Sequence, residues 1–372
     1  MRITVQTNLT VLQSFPAPRP TSVLPYTLLL ADRLRDLPGV TVLYFDWRTA
    51  LLGRYDVFHV HWPEILVNGH SPLKKLVRQV FTLGLLAKLK LTRTPLVRTV
   101  HNVDLPKGIG RREKWLLALI DRQTTLRVVL NPSTPVPSGT ASALIPQAHY
   151  REWFAEYPQA GQVAGRVGYV GRIRGYKGLD ALISAFRGTR AAEPAATGPG
   201  ASGGSVAGSG TGSGGVPTAG SDLSLQIGGY PSTQELADDI TALAAGDDRI
   251  AIEFGFISDE RLVEIVTSSE LVVLPYPLMH NSAAAITVLS LDRPILVPDN
   301  PVNRQLSDEV GPGWIHFFTA PLGSDEVLAA LRDARTADRE PRPRLGARDW
   351  HPSAVAHADA YRAAIALAHR GR

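Results

Sequence analysis

The chain has 372 residues, 44% hydrophobic, 20% charged and 7% aromatic, which is enough apolar material for two ordinary domains and excludes a disordered or fibrous protein. With no cysteine it has no thiolate nucleophile, no thiolate metal site and no disulfide scaffold. Lys and Arg number 39 against 34 Asp and Glu, a formal charge of +5 that suits phosphates or acidic lipid, while the scatter of the basic residues argues against nucleic acid.

In chain order, Met1 to Leu12 holds isolated apolar residues in place of a secretory core, and no uncharged apolar run approaches the roughly 20 residues that span a bilayer, so a cytoplasmic location is expected. Strands are predicted near Val40 to Phe45, Asp56 to Val60, Leu96 to Val100 and Leu126 to Leu130. Between them, residues 72–93 mix Lys74, Lys75, Arg78, Lys88 and Lys90 with Leu73, Leu76, Val77, Val80, Phe81, Leu85, Leu86 and Leu89. That pattern fits either an amphipathic helix lying on anionic lipid or a core helix with a solvated basic face.

The strand pattern restarts at Val167 to Val170, Leu223 to Ile227, Ile250 to Phe254, Leu271 to Leu274 and Pro294 to Val297, so the fold class is α/β with two doubly wound, mainly parallel sheets. Helices are expected over Leu179 to Phe186, after Ser232 with Glu235 as a capping box, and after Ser258 ahead of Leu262, Ile265 and Val266. The domains are expected at 1–150 and 151–348, with a linker around Pro146 to Gly165. A last helix in 349–372, roughly Ser353 to His369, is placed to pack back across. Residues 190–221 are read as a disordered insertion, because ten of the 33 glycines lie in a Gly, Ser and Ala run with little apolar content.

Ligands of open α/β sheets bind beyond the carboxyl ends of the strands, which directs attention to four places. Gly171 to Gly178 (GRIRGYKG) follows a strand and offers Arg172 and Lys177 to a diphosphate, or else is a solvated basic turn. Tyr276 to Ala285 carries Asn281 and Ser282 at a helix start, able to cap it or to meet an anion there. His59 and His61 share one strand face as cleft residues, with a metal pair as the alternative, and Glu64 follows as the nearest carboxylate base or else as a surface salt-bridge partner. His101 with Asn102 ends the next strand and can donate to a sugar hydroxyl or serve structurally.

Together these stretches resemble the nucleotide-sugar glycosyltransferases of GT-B architecture, with two Rossmann-like domains facing across a cleft. GRIRGYKGLDALISAF is similar to the donor-domain diphosphate motif, which implies that Arg172 and Lys177 hold the leaving pyrophosphate. FGFISDERL is similar to the turn around the nucleotide base, implying backbone contacts at Phe256 and Ile257, and Tyr276 falls in the same donor set. DVFHVHWPE, RTVHNVDLP and LPYPLMHNSAAAITVLSLDRPILVP resemble bacterial exopolysaccharide mannosyltransferases that use GDP-mannose and a lipid-linked acceptor. The two glutamates of large retaining families are replaced by Met279 and Thr287, so their ribose contact does not carry over.

The resemblance implies a hexosyltransferase that needs no metal and no cofactor, with His101 holding the donor sugar and Glu64 or Asp104 as the base if the reaction inverts. The expected partners are a nucleotide sugar, a glycan or glycolipid acceptor and an anionic membrane surface, with the protein peripheral at the inner face of the membrane. A non-catalytic sugar-nucleotide binding or scaffold protein, and an epimerase of the same fold, are the alternatives.

Overall fold

The computed structural model describes residues 8–17, 25–102, 108–190 and 223–370. The expected disordered insertion at 190–221 and the candidate base Asp104 therefore lie almost wholly outside the described residues. The chain divides into two compact units, one formed by the described residues of 1–150, 280–286 and 345–372, the other by those of 151–279 and 287–344.

The first unit runs β1 (Leu9–Gln13), α1 (Pro25–Arg35), β2 (Val40–Leu43), α2 (Trp47–Leu52), β3 (Val57–Val60), α3 (Glu64–Val67), α4 (Pro72–Thr92), β4 (Leu96–Val100), α5 (Arg111–Gln123), β5 (Thr124–Val129) and β6 (Ala141–Leu144). Its six strands are parallel in the order β2-β1-β3-β4-β5-β6. Val57, Phe58, Val60 and Val97 are fully buried, as expected of strands covered by helices on both faces. One helical layer rests on Leu66, Leu85, Leu89, Leu116 and Ile120, which pack against Phe58 and Leu96. The order reverses between β1 and β3, making the carboxyl ends of these strands the natural ligand edge.

The second unit contains α6 (Arg151–Phe154), β7 (Arg166–Ile173), α7 (Leu179–Gly188), β8 (Ser224–Pro231), α8 (Gln234–Ala244), β9 (Ile250–Phe254), α9 (Asp259–Ser268), β10 (Leu271–Val273), α10 (Ala283–Ser290), β11 (Ile295–Pro298), α11 (Pro301–Val310), β12 (Ile315–Phe318) and α12 (Ser324–Thr336). The first turn of α10 groups with the first unit. The six strands are again parallel, in the order β12-β11-β10-β7-β8-β9, with the reversal between β7 and β10. The last helix, α13 (Trp350–Arg370), belongs to the first unit and buries Trp350, Ala354, His357, Ala358, Tyr361 and Ala364.

The two parallel sheets match the doubly wound expectation, and Leu96–Val100 and Ile250–Phe254 form over the residues predicted. Three strands went unpredicted, β1, β6 and β12. One cap moves: Thr233, not Ser232, accepts the Leu236 amide, because β8 runs through Pro231 and the Ser232 amide donates to the Ile173 carbonyl. Ser258 caps α9 as expected, accepting from the Arg261 amide at 3.2 Å.

Candidate active site

In the first unit, the carboxyl ends of β1, β3 and β4 carry a polar network inside an apolar shell. Parallel pairing sets Gln13 beside His59, and the alternation of β3 puts His59 and His61 on one face. His59 Nδ1 lies 2.7 Å from the Tyr361 hydroxyl and its Nε2 lies 2.8 Å from Thr99 Oγ1. His61 Nε2 is 3.1 Å from Gln13 Oε1, and its Nδ1 is 3.3 Å from His101 Nε2. The His61 backbone amide donates to Ser14 Oγ at 3.0 Å.

His59 and His61 are 0% and 1% exposed, so the expectation that they line a cleft is corrected: both rings are interior and hydrogen-bonded. Their partners Gln13 and Tyr361 come from other strands and from the last helix, which no local spacing reveals. His101 is half-buried at the rim of this cluster. Its ring stacks on Trp62 with centroids 4.4 Å apart and meets Tyr26 edge-on at 5.5 Å.

Burial disfavours the imidazolium throughout. It holds His59 and His61 well below the ordinary 6.5, with the neighbouring rings adding to the effect, and it lowers His101 to about 3 and His357 to about 4. At neutral pH the cluster is a set of uncharged donors and acceptors, and His101 presents a neutral imidazole at the ligand edge.

In the second unit, β7 ends in Gly171, Arg172 and Ile173, and a single 3-10 turn at Gly175–Lys177 leads through Gly178 into α7. Gly178 has φ +67°, and a Cβ there would sit 2.4 Å from the Pro275 carbonyl oxygen, so only glycine lets this turn lie against the chain leaving β10. That seat puts Lys177 Nζ 4.4 Å above the Tyr276 ring and 3.4 Å from its hydroxyl.

Arg172 and Arg174 are exposed beside this ammonium, and among the described residues none of the three cations has a carboxylate partner. Burial, followed by repulsion from Arg174 and Arg172, lowers Lys177 to about 8. An uncompensated cationic cluster at the switch point of a doubly wound sheet has the charge and the place that suit a polyanion. Tyr276 is itself buried and supports Lys177 from below.

The remaining candidates fall in different places. The Asn281 side chain is taken up: Nδ2 donates to the carbonyls of Val100 and His101 at 3.3 and 3.1 Å, and Oδ1 accepts from Asn131 Nδ2 at 2.6 Å. Asn281 thus secures the end of β4. Asn131 and His280, the latter 2.9 Å from Thr134 Oγ1, are parts of this arrangement that the sequence reading missed. Ser282 caps α10, accepting from the Ala285 amide at 3.2 Å. Exposed Phe256 and half-buried Ile257 occupy the loop after β9, on the same sheet edge as Arg172. Glu64 begins α3, half-buried, and lines a shallow hollow of about 320 Å³ with Asn68, Gly69, His70 and Arg78. Asn102 is exposed at the end of β4.

Helix α4 departs from the expected basic face. Lys75 pairs with Glu113 at 2.6 Å, Arg78 Nη1 donates to the carbonyls of Ile65 and Asn68, and Lys88 Nζ donates to those of Ala50 and Gly53. These cations are spent inward. The outward face keeps Leu73 (71% exposed), Leu76, Val77 and Val80, with Lys74 and Lys90 among its charges. Among the described residues no helix is long and apolar enough to cross a membrane, and no three His, Asp or Glu side chains gather as a metal site.

No family model matches the chain. It is 35% identical over 326 residues to a GDP-mannose:glycolipid 4-beta-D-mannosyltransferase from Xanthomonas campestris pv. campestris, covering 88% of this chain and 84% of that protein. The chain belongs to this glycosyltransferase family. The transferase also matches solved structures at low identity that bear on fold alone. Sucrose-phosphate synthase from Thermosynechococcus elongatus superimposes with TM-score 0.62 at 13% identity, covering 96% of this chain and 99% of the other. Anabaena HepE in complex with UDP-glucose gives 0.55 at 13% identity, covering 97% and 98%. AviGT4, a glycosyltransferase involved in avilamycin A biosynthesis, gives 0.55 at 12%, covering 96% and 98%. The transferase has the GT-B fold.

Proposed function

We propose that the protein transfers a mannosyl group from GDP-mannose to a hydroxyl of a glycolipid, the second unit holding the donor and the first presenting the acceptor. The observation that carries this reading is the unpaired cluster of Arg172, Arg174 and Lys177 at the β7–β10 switch point. The 35% identity to a mannosyltransferase that takes GDP-mannose supports the choice of donor.

In the reaction the bond between the anomeric carbon and the diphosphate oxygen breaks, and a bond to the acceptor oxygen forms. Negative charge grows on the departing GDP, so Arg172 and Lys177 bind the transition state more tightly than the ground state. These side chains supply the charge that a divalent ion would otherwise bring, and transfer is expected to survive chelation by EDTA. His101, neutral and stacked on Trp62, contacts the donor sugar. The acceptor hydroxyl gives its proton to a carboxylate, Glu64 first and Asp104 second. The nucleotide base rests on the loop at Phe256 and Ile257.

The outward apolar stripe of α4 (Leu73, Leu76, Val77, Val80) lies against the lipid surface that carries the acceptor. The protein is then peripheral to the membrane. Glu64 opens α3, directly ahead of this helix in the chain, an order that supports Glu64 as a base serving a lipid-linked substrate.

Thermal shifts with GDP, UDP and ADP, followed by product analysis with GDP-mannose and glycolipid, test the reading. GDP at a hundred times its Kd should add about 2.7 kcal/mol of stability and raise the melting point, with the other nucleotides trailing. Tight GDP-mannose binding with no glycolipid product, or conversion of the donor without acceptor, would refute transfer.

A further inference from the structure

The buried network has a direction, and that direction decides which nitrogen of His101 is available. We infer that Gln13 is a positioning residue that, through His61, fixes His101 as the Nε2–H tautomer and leaves Nδ1 as a bare acceptor for a sugar hydroxyl. This rests on the proposed contact between His101 and the donor.

What each atom can donate or accept fixes the hydrogens bond by bond. Gln13 Nε2 can only donate, and it donates to the Tyr361 oxygen at 3.2 Å. The opposite end of the same amide, Oε1, can only accept, so His61 Nε2 must carry the hydrogen at 3.1 Å. His61 is neutral, because burial holds it well below the ordinary imidazole value, so its Nδ1 is bare. A bare Nδ1 at 3.3 Å from His101 Nε2 requires the hydrogen on His101 Nε2.

The other branch agrees. Having accepted from Gln13, the Tyr361 hydroxyl donates to His59 Nδ1 at 2.7 Å, which puts the His59 hydrogen on Nε2, donating to Thr99 Oγ1 at 2.8 Å. The whole run from His101 through His61, Gln13, Tyr361 and His59 to Thr99 points one way, and chains of this kind polarise each member in the same sense. Rotating the Gln13 amide by half a turn would reverse every bond and move the His101 hydrogen to Nδ1. One side chain, with both amide ends engaged and 0% exposed, therefore sets three histidine tautomers. Among the described residues only Nε2 of His101 is hydrogen-bonded, so Nδ1 is the nitrogen left for ligand.

Long-range 1H–15N spectra of the full chain labelled at histidine nitrogen, without ligand, read the tautomers directly, with His61→Asn and His101→Asn assigning the peaks. The expected result is His101 and His61 as Nε2–H. In Gln13→Leu both lose this pattern, whereas Gln13→Glu, which keeps an accepting oxygen, retains it. A wild-type His101 carrying its hydrogen on Nδ1, or a folded Gln13→Leu protein with both rings unchanged, overturns the inference. In the kinetic arm, Gln13→Leu should lower kcat about tenfold, the worth of one hydrogen bond, with GDP affinity unchanged. If the tautomers are as stated while His101→Asn transfers at the wild-type rate, the contact between His101 and the donor sugar is what fails.

Discussion

Acid should unfold the first unit early, because its core holds imidazoles that cannot charge in place. His101 falls to about 3 and His357 to about 4, against an ordinary value of 6.5 in the unfolded chain. Below pH 6.5 the unfolded chain takes up protons that the folded one refuses, so stability is full above 6.5 and declines as the pH drops toward the folded values. At pH 5 each such histidine costs about 2 kcal/mol, so these two remove about 4 kcal/mol, with His59 and His61 shifted in the same direction and adding to the loss. Against a net stability of about 5–15 kcal/mol this is a large fraction. Urea denaturation followed by circular dichroism at pH 7.5 and pH 5 measures it. His357→Asn, which keeps a donor for the Ser353 carbonyl, should shrink the pH-dependent loss by about 2 kcal/mol. Equal stability at the two pH values, or an unchanged loss in His357→Asn, would refute the reasoning.

Four further outcomes are expected. Lys177, at about 8, loses its charge as pH rises through that value, so GDP affinity measured by calorimetry should fall up to about tenfold between pH 7 and 9, and Lys177→Arg should abolish the fall. Replacing the exposed Leu73, Leu76 and Val80 of α4 by Asp should leave the melting point within a degree or two yet stop flotation with anionic liposomes. Because Lys75, Arg78 and Lys88 are engaged inward, high salt should weaken flotation of the native protein only modestly. Gly178→Ala should cost about 1–2 kcal/mol in stability and weaken GDP binding, since the added carbon displaces the turn that carries Lys177.

Chemistry-bearing residue types were legible where a strand ran out into polar residues, because parallel strands put all such ends on one edge. That logic puts Arg172, Lys177 and His101 at strand ends. It failed at His59 and His61, whose partners lie as far as 302 positions away in Tyr361, so sequence spacing carried no sign of their burial. β1 escaped notice because Thr10 and Gln13 break its apolar run, yet Gln13 is polar for the sake of the network it serves. Short edge strand β6 alternates half-buried and exposed residues, and β12 places His316 within four residues, leaving neither a strong periodic signal. The basic face of α4 is narrower than its sequence suggests for a related reason: a lysine looks the same in sequence whether it meets water or the Glu113 carboxylate.

Transfer by the cationic turn is measured most directly by following mannose from GDP-mannose into glycolipid with the wild type and with Arg172→Ala and Lys177→Ala, each confirmed folded. Both variants should lose about a hundredfold or more in kcat, since each removes a charge from the leaving diphosphate. Wild-type turnover in Lys177→Ala and Arg172→Ala would place the chemistry elsewhere and contradict the account.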